Sequence, residues 1–378
     1  MRIPMTRRLP LNYLSALQPV IALALAFGCT AGITLAQEEA LTAGPSRPMF
    51  VTLPPHLVQS VGKAAATPLQ TWNGSFTYQS STYNYNMVGT APSSNTPATI
   101  QVYIIPVKVV ITSGATKTTY DPLHVLSNGK TVVANTVASP LFDSTTTYVQ
   151  GGVNVGTTQY IDAYMRAGFW GAVQSAPNYH LLLGGPAVFP EWTLSPPASY
   201  GRTGSEFGFK AGLVNINWFD AYIQYYISKV TQIKPGVLPI FLINDVYLTQ
   251  GGQCCIGGYH SSMGSSSAPQ AYAVASYVDH AGAFSEDVSA LSHEIGEWAA
   301  DPLVVNINGN NTPCGILENG DPLENNSNYG AYPYAVNGFS YNLQDLVTLP
   351  YFGAPPATSV NGFFTFQGES LAVCANGS

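Results

Sequence analysis

The sequence predicts an α/β fold, built as one large domain with a loop-rich C-terminal part. Two apolar segments, 99–111 and 238–248, have the character of buried strands. They alternate with segments 157–171 and 215–230, in which apolar residues recur with helical spacing. A further helix is predicted at 287–301, and the chain after it is rich in Gly, Asn and Pro. With 46% apolar residues, the chain can enclose a substantial core.

Shorter elements are predicted before and between these segments. Residues 72–88 alternate as strands do, and 271–279 is predicted to be a further strand. Residues 251–267, GGQCCIGGYHSSMGSSS, predict a Gly- and Ser-rich hairpin between two strands. Asp287 is a suitable N-cap for the last helix, which we expect to end before Pro302.

The amino terminus has the order of a signal peptide. Arg2, Arg7 and Arg8 precede an apolar stretch, and small residues follow up to Ala36. We therefore predict that residues 1–36 are a signal peptide and that the protein is secreted or periplasmic. Three alternatives are a lipoprotein cleavage site, a twin-arginine signal and an uncleaved membrane anchor.

The segment after the signal peptide is rich in proline. Residues 37–70 are predicted to form an extended arm or a short propeptide, which leaves 71–378 as the predicted catalytic domain. No later stretch approaches the roughly 20 apolar residues that a membrane-spanning helix needs. The mature protein is therefore predicted to be free of the membrane.

The charge balance bears on possible partners. Removing residues 1–36 removes three Arg and no acid, so 20 acidic residues face 10 basic ones and the net charge becomes −10. Nucleic acids and anionic membranes both require a basic surface on the protein that binds them. The composition therefore argues against both as partners. Only 9% of residues are charged, which suits an extracellular protein more than a cytosolic enzyme.

Four cysteines follow the predicted signal peptide: Cys254, Cys255, Cys314 and Cys374. An even number in an exported chain predicts two disulfides, and four buried free thiols are the alternative. Since neighbouring cysteines rarely pair with each other, we expect at least one bridge from the Cys254–Cys255 hairpin to Cys314 or Cys374. No CxxC spacing occurs, so a zinc knot is not predicted.

The motif SHEIGEW at 292–298 carries the strongest chemical signal. His293 and Glu297 are four residues apart on a predicted helix and therefore project from the same face. This is the geometry of HExxH, in which the i,i+4 pair holds a metal and the intervening Glu is the general base on a metal-bound water. Here Glu297 replaces the second His and Glu294 is the predicted base. The alternative is a surface helix with solvated glutamates, but its neighbours are mostly apolar.

A metal needs at least a third protein ligand, for which there are two candidates. Glu318 lies downstream in GILENGDP, and His260 lies upstream in GGYHSS. Each has a structural alternative, since Glu318 can be a solvated loop acid and His260 can order a hairpin. The predicted metal is Zn²⁺ or another divalent ion, because a carboxylate oxygen can replace an imidazole nitrogen on zinc.

Four motifs together resemble the EXORDIUM-like (phosphate-induced) proteins and their bacterial relatives: Gly-Tyr-His at 258–260, Ala-Leu-Ser-His-Glu-Ile-Gly-Glu at 290–297, Asp301-Pro302 and Leu-Glu-Asn-Gly-Asp at 317–321. The resemblance covers roughly residues 240–322. It implies a zincin-like mixed sheet with an HExxE active-site helix, with His293, Glu297 and Glu318 as metal ligands and Glu294 as base. The family has a Cys after its last motif, where this sequence has Pro322.

The predicted function is metal-dependent hydrolysis of a peptide or other amide bond, with a peptide or protein as substrate. A second hypothesis is a non-catalytic extracellular or wall-associated protein that keeps the fold and a structural metal. A third is a glycosidase that uses Glu294 and Glu297 as its carboxylate pair. Because residues i and i+3 of one helix lie on the same side, they are poorly placed to flank a sugar bond.

Overall fold

The computed structural model describes residues 51, 53–58, 67–205, 207–305, 314, 317–369 and 371–374. These residues belong to one compact unit, which spans Glu39–Ser378. The predicted signal peptide and most of the predicted arm at 37–70 lie outside the described residues. Within the described part, no helix has the length and apolar character needed to cross a membrane.

Strands dominate the described residues, and helices are few. The strands are β1 (His56–Val58), β2 (Thr71–Tyr78), β3 (Ser81–Val88), β4 (Pro97–Ser113), β5 (Thr116–Tyr120), β6 (Thr147–Gln150), β7 (Val153–Thr157), β8 (His180–Val188), β9 (Trp192–Leu194), β10 (Gly201–Gly204), β11 (Ala211–Asn215), β12 (Val237–Asn244), β13 (Val246–Gln250), β14 (Gln253–Ile256), β15 (Gly258–Ser265), β16 (Ala268–Tyr277), β17 (Ala331–Val336) and β18 (Phe339–Gln344). The α-helices are α1 (Val132–Val137), α2 (Tyr160–Gly168), α3 (Trp170–Val173), α4 (Ile216–Lys229) and α5 (Ser289–Ala300).

The largest sheet is mixed and has the order β1-β15-β16-β12-β4-β5, with β8 and β9 also paired to β4. The pairs β12–β16 and β12–β4 are parallel, whereas β15 runs antiparallel to β16. A second sheet has the order β10-β11-β13-β14. The coarse prediction of a single domain with a mixed sheet and helices is confirmed, although strand content exceeds what the sequence suggested.

Alternating side chains of the large sheet enter two separate cores. In β16, Ala273 and Ala275 face the core that contains α5, whereas Tyr272 and Val274 face the core that contains α4. This alternation follows from the two-residue period of a strand. Because alanines cover the α5 side, the helix lies close to the strands that carry the upstream motif. α5 packs against β15, β16, β18 and β3.

Two local predictions require correction. The predicted strand 238–248 is interrupted at Asp245, whose φ of 48° turns the chain from β12 into a different sheet as β13. The predicted hairpin 251–267 consists largely of two strands, β14 and β15. Its small polar residues fit the crowded interior there, because most side chains of β14 and the first half of β15 are buried.

The last helix begins later than predicted. α5 starts at Ser289, and Asp287 does not cap it through a side-chain hydrogen bond to the helix. Asp287 instead accepts hydrogen bonds from the backbone N–H of Val288 and from Asn342 of β18. The predicted end before Pro302 is confirmed, since α5 ends at Ala300.

The two predicted disulfides are present, but the predicted pairing is wrong. Cys254 is bonded to Cys255, and Cys314 is bonded to Cys374 with a Cα–Cα distance of 5.9 Å. Cys254 and Cys255 are buried in a small core with Tyr247, whereas Cys314 packs against the large core that contains α5. This separation keeps the hairpin cysteines away from the downstream pair. Two disulfides indicate an oxidising compartment.

Candidate metal site

The helix α5 presents the motif residues to the interior. His293, Glu294 and Glu297 all lie on this helix, and together with His260 and Glu318 their exposed fractions are only 3–5%. The alternative of a surface helix with solvated glutamates is therefore wrong. Leu291, Ile295 and Trp298 of α5 anchor the helix in the large core.

His293 faces acidic groups through both of its ring nitrogens. Its Nε2 lies 2.8 Å from Oε1 of Glu297 and 3.5 Å from Oδ1 of Asp321. Its Nδ1 lies 3.3 Å from Oε1 of Glu324. The i,i+4 spacing on the helix explains the first contact, and the chain that follows Glu318 supplies the other two.

His260 approaches the same carboxylates from β15. Its Nδ1 lies 3.5 Å from Oε2 of Glu294 and 3.6 Å from Oε2 of Glu297. Its Nε2 donates a hydrogen bond of 3.0 Å to the backbone carbonyl of Asp301. The antiparallel register pairs His260 with Ala273, which faces α5, so His260 points towards the helix.

Glu318 also reaches the cluster, because its carboxyl group shares a hydrogen bond with Glu297. All five residues predicted from the sequence, namely His260, His293, Glu294, Glu297 and Glu318, are therefore brought together. Both candidate third ligands, His260 and Glu318, therefore lie beside α5.

The segment that carries Glu318 is held close to the helix. Asn319 donates a 3.4 Å hydrogen bond to the carbonyl of Gly296, and the N–H of Gly320 lies 3.4 Å from Oε1 of Glu297. A side chain at Gly320 would overlap the imidazole ring of His293. Glycine is therefore required at this position by the close approach of backbone and ring.

The carboxyl groups are crowded in a buried environment. Burial and the charge of Glu297 raise the pKa of Glu318 well above its usual range and that of Asp321 to about 6. Burial raises the pKa of Glu324 to about 8 and that of Glu294 to about 7. The pKa values rise because several buried acids share the site, and each ionised carboxyl group opposes the ionisation of its neighbours.

The pKa values of the two imidazoles are also raised, which favours their charged form. Burial alone would lower the pKa of His293, but the charges of Glu297 and Glu324 outweigh it and raise the pKa well above 6.5. Burial likewise opposes the shift at His260, where the surrounding carboxylates raise the pKa. Glu297 is the exception among the acids. Burial would raise its pKa, yet the charge of His293 and the hydrogen bonds around it lower the pKa.

A cleft opens onto one side of this cluster. Its lining residues are Val51, Gly257, Gly258, Phe284, Ser285, Ser289, Ala290, His293, Glu294, Asp321, Glu324, Tyr329 and Gln344. Glu294 therefore borders the cleft, whereas Glu297 lies behind it. Glu294 and His293 are therefore the residues of α5 that belong both to the cluster and to the lining of the cleft.

Asp321 and Glu324 also belong to the site, although the sequence analysis predicted no role for them. Both follow Glu318 at intervals of three residues, and both side chains meet His293. The i, i+3, i+6 spacing of acids after a conspicuous His-Glu motif was the available signal. It was weak, because exposed loops often carry spaced acids.

The donor set fits a divalent cation. Two ligands at about 2.0–2.1 Å from a tetrahedral Zn²⁺ are about 3.3 Å apart. The distances of 2.8 and 3.5 Å from Nε2 of His293 to Glu297 and Asp321 bracket this value. Among the described residues, the buried Oε2 of Glu294 has no hydrogen-bond partner. Buried polar atoms normally have partners, so this oxygen is consistent with a site that binds a cation.

No protein-family model, no curated protein and no solved structure matches this chain. The donors, their distances and the cleft are therefore the observations from which a function can be argued.

Proposed function

We propose that this protein is an exported, metal-dependent hydrolase that cleaves peptide or other amide bonds. His293, Glu297 and Asp321 would hold a divalent ion, for which Zn²⁺ is the first choice, and Glu318 would support Glu297. Nε2 of His293 and carboxylate oxygens of Glu297 and Asp321 all lie within 4.8 Å of one another. The substrate is a peptide or protein, which suits an extracellular or periplasmic enzyme.

The observation that carries this proposal is the position of Glu294. It is adjacent to His293 in α5, it is largely buried, and it is one of the residues that line the cleft. A single structural ion held by His293, Glu297 and Asp321 does not need a carboxylate in this position. A general base does, because it must reach the attacking water from the substrate side.

When bound, a divalent ion supplies a Lewis acid that polarises the scissile carbonyl and acidifies water. Glu294 takes a proton from the attacking water and delivers it to the leaving amine. Burial raises the pKa of Glu294 to about 7 in the metal-free site, and a bound cation would lower it, so that Glu294 is ionised and can accept a proton near neutral pH. Glu324 borders the cleft and lies beside Nδ1 of His293, where it would orient the ring.

The arrangement supports a zincin-like architecture as part of the same proposal. α5 packs against the mixed sheet, and β15 begins at Gly258 on the edge of the cleft. The motifs that resemble EXORDIUM-like proteins contribute His260, His293, Glu297 and Glu318 to this one site. We propose a relationship to that family on these residues.

One observation favours a non-catalytic alternative, in which the metal is structural. Glu297 and Glu318 are almost completely buried, and a second carboxylate on the ion makes a bound water less acidic than neutral ligands do. The cleft beside Glu294 favours catalysis over this alternative.

Metal analysis combined with Glu294→Gln separates the two functions. The purified wild type should contain a divalent ion and cleave members of a broad peptide library. Glu294→Gln should abolish cleavage and retain the ion held by His293, because glutamine keeps the size of the side chain but cannot accept the proton. Glu286→Gln, outside the residues that line the cleft, is the matched control and should cleave normally. A metal-containing wild type that cleaves no peptide would establish the structural alternative.

A further inference from the structure

The two carboxylate oxygens of Glu297 face different histidines. Oε1 lies 2.8 Å from Nε2 of His293, whereas Oε2 lies 3.6 Å from Nδ1 of His260. A carboxylate with separate partners on its two oxygens has the geometry of a bridge. A single ion held by His293 uses only one side of this arrangement.

Donors are present on both sides of Glu297. Besides the set formed by His293, Glu297 and Asp321, a second set of buried donors consists of His260, Glu294 and Glu297. The ligating atoms of each set lie within 4.8 Å of one another. Glu297 is the member that both sets share.

An independent observation concerns the ring nitrogen of each histidine that faces away from its donor set. Nε2 of His260 donates to the carbonyl of Asp301, and a carbonyl oxygen only accepts, so the proton is on Nε2. In the neutral ring, Nδ1 then presents a lone pair to the carboxylates of Glu294 and Glu297. Two anionic groups and a lone pair repel one another unless a cation or a proton lies between them.

His293 has the same arrangement with the roles of its two ring nitrogens exchanged. Its Nδ1 lies 3.3 Å from a carboxylate oxygen of Glu324, and its Nε2 faces Glu297 and Asp321. Histidines that bind metals commonly have a carboxylate or a backbone carbonyl beside the nitrogen that is not a ligand. Both histidines have that pattern, each towards its own donor set.

From this geometry we propose that the site holds two divalent ions, one in each donor set, bridged by the carboxylate of Glu297. The inference rests on the proposed function and extends it to a two-metal hydrolase. In such centres the ions are about 3.5–4 Å apart and act together on the attacking and leaving groups. Five carboxyl groups and two imidazoles also supply more donors than one ion accepts in a tetrahedral site.

The two-ion centre changes the role of one residue. Glu294 lies in the second donor set and also borders the cleft. Its replacement by glutamine weakens binding of the second ion and also removes the base. The first ion keeps its ligands His293, Glu297 and Asp321. The number of bound ions therefore has to be measured directly.

The experiment is to load the full-length mature protein with Zn²⁺, remove weakly bound ions by gel filtration, and measure metal per chain. We expect two equivalents in the wild type and one in His260→Ala. His280→Ala is the matched control, since His280 lies outside both donor sets, and should keep two. One equivalent in the wild type overturns the two-ion centre and leaves the proposed function intact, whereas none overturns both.

A second measurement does not depend on any variant. The wild type loaded with Mn²⁺ should give the electron paramagnetic resonance spectrum of an exchange-coupled pair, because a bridging carboxylate couples the two spins. The spectrum of magnetically isolated Mn²⁺ at full loading would overturn the proposal. This readout remains decisive even if His260→Ala fails to fold.

Discussion

Nε2 of His293 lies 2.8 Å from Oε1 of Glu297, one turn further along α5. A helix brings these two groups together without help from the rest of the fold. The packing of α5 then buries both side chains beside Asp321 and Glu324. A local motif thereby becomes part of a buried cluster of acids and histidines, which we propose as a cation site.

Metal binding should stabilise the wild type more than His293→Ala. A ligand that binds only the folded state raises the unfolding free energy by about 2.7 kcal/mol at 100 times its dissociation constant. We therefore expect added Zn²⁺ to raise the melting temperature of the wild type in differential scanning fluorimetry. His293→Ala should show a smaller increase, because it lacks the ion held by His293, and His280→Ala should keep the full increase. An equal increase in all three proteins would place the ion elsewhere.

Gly320→Ala should weaken the metal site through sterics alone. Gly320 has a φ of −88°, which alanine adopts readily, but a Cβ atom there overlaps the ring of His293. Overpacking of this kind destabilises a protein by about 1–3 kcal/mol. We expect lower stability in urea and weaker Zn²⁺ binding by isothermal titration calorimetry.

Gly185→Ala is the control for that substitution. A methyl group at this position would have open space around it, with no atom beyond its chain neighbours within 4 Å, and the φ of Gly185 is not positive. The substitution should change neither stability nor Zn²⁺ binding appreciably. Normal Zn²⁺ binding by Gly320→Ala would show that the His293 ring does not need this close approach.

Stability between pH 4 and 7 should depend on Asp287. Burial raises the pKa of Asp287 to about 7, above the value of about 3.9 in an unfolded chain. The folded protein therefore binds the proton more tightly. Its contribution to stability is complete below about pH 4 and is lost as the pH rises to about 7. Asp287→Asn cannot titrate, so its unfolding free energy should fall less steeply with pH, by at most about 1.4 kcal/mol per pH unit.

The pH slopes of the unfolding free energy of the wild type and Asp287→Asn are compared by urea unfolding with a chelator present. The acids of the metal site titrate alike in both proteins, so the difference between the slopes reports on Asp287. Asp143→Asn is the control. Burial opposes the shift, but hydrogen bonds from Thr145 lower the pKa of Asp143, so its contribution changes below about pH 4. Its slope between pH 4 and 7 should match that of the wild type. A parallel slope for Asp287→Asn would refute the prediction.

Loss of the Cys314–Cys374 disulfide should destabilise the protein strongly. The two residues are 60 positions apart, and closing such a loop restricts the unfolded chain by about 4 kcal/mol. The double variant Cys314→Ser/Cys374→Ser should therefore unfold at lower urea concentration. Cys254 and Cys255 close no comparable loop, so their bridge should contribute little by this mechanism. Unchanged unfolding of the double variant would contradict the pairing.

The periodic segments were predictable because their signals are local. The spacing of apolar residues identified α4 and α5, and the apolar run at 99–111 identified most of β4. The break at Asp245 was not predictable from periodicity. It depends on a backbone conformation that the two sheets impose on both sides of one residue.

The sequence by itself determined that His293, Glu294 and Glu297 belong to one helix, since helical geometry is set by near neighbours in the chain. Only the tertiary structure decided which distant groups meet them. His260 faces α5 because β15 pairs with β16 in a register that no local pattern specifies. Asp321 and Glu324 reach His293 because Gly320 lets the backbone approach the ring. The tertiary structure also decided how the cysteines pair, since long-range packing separates the two pairs into different cores.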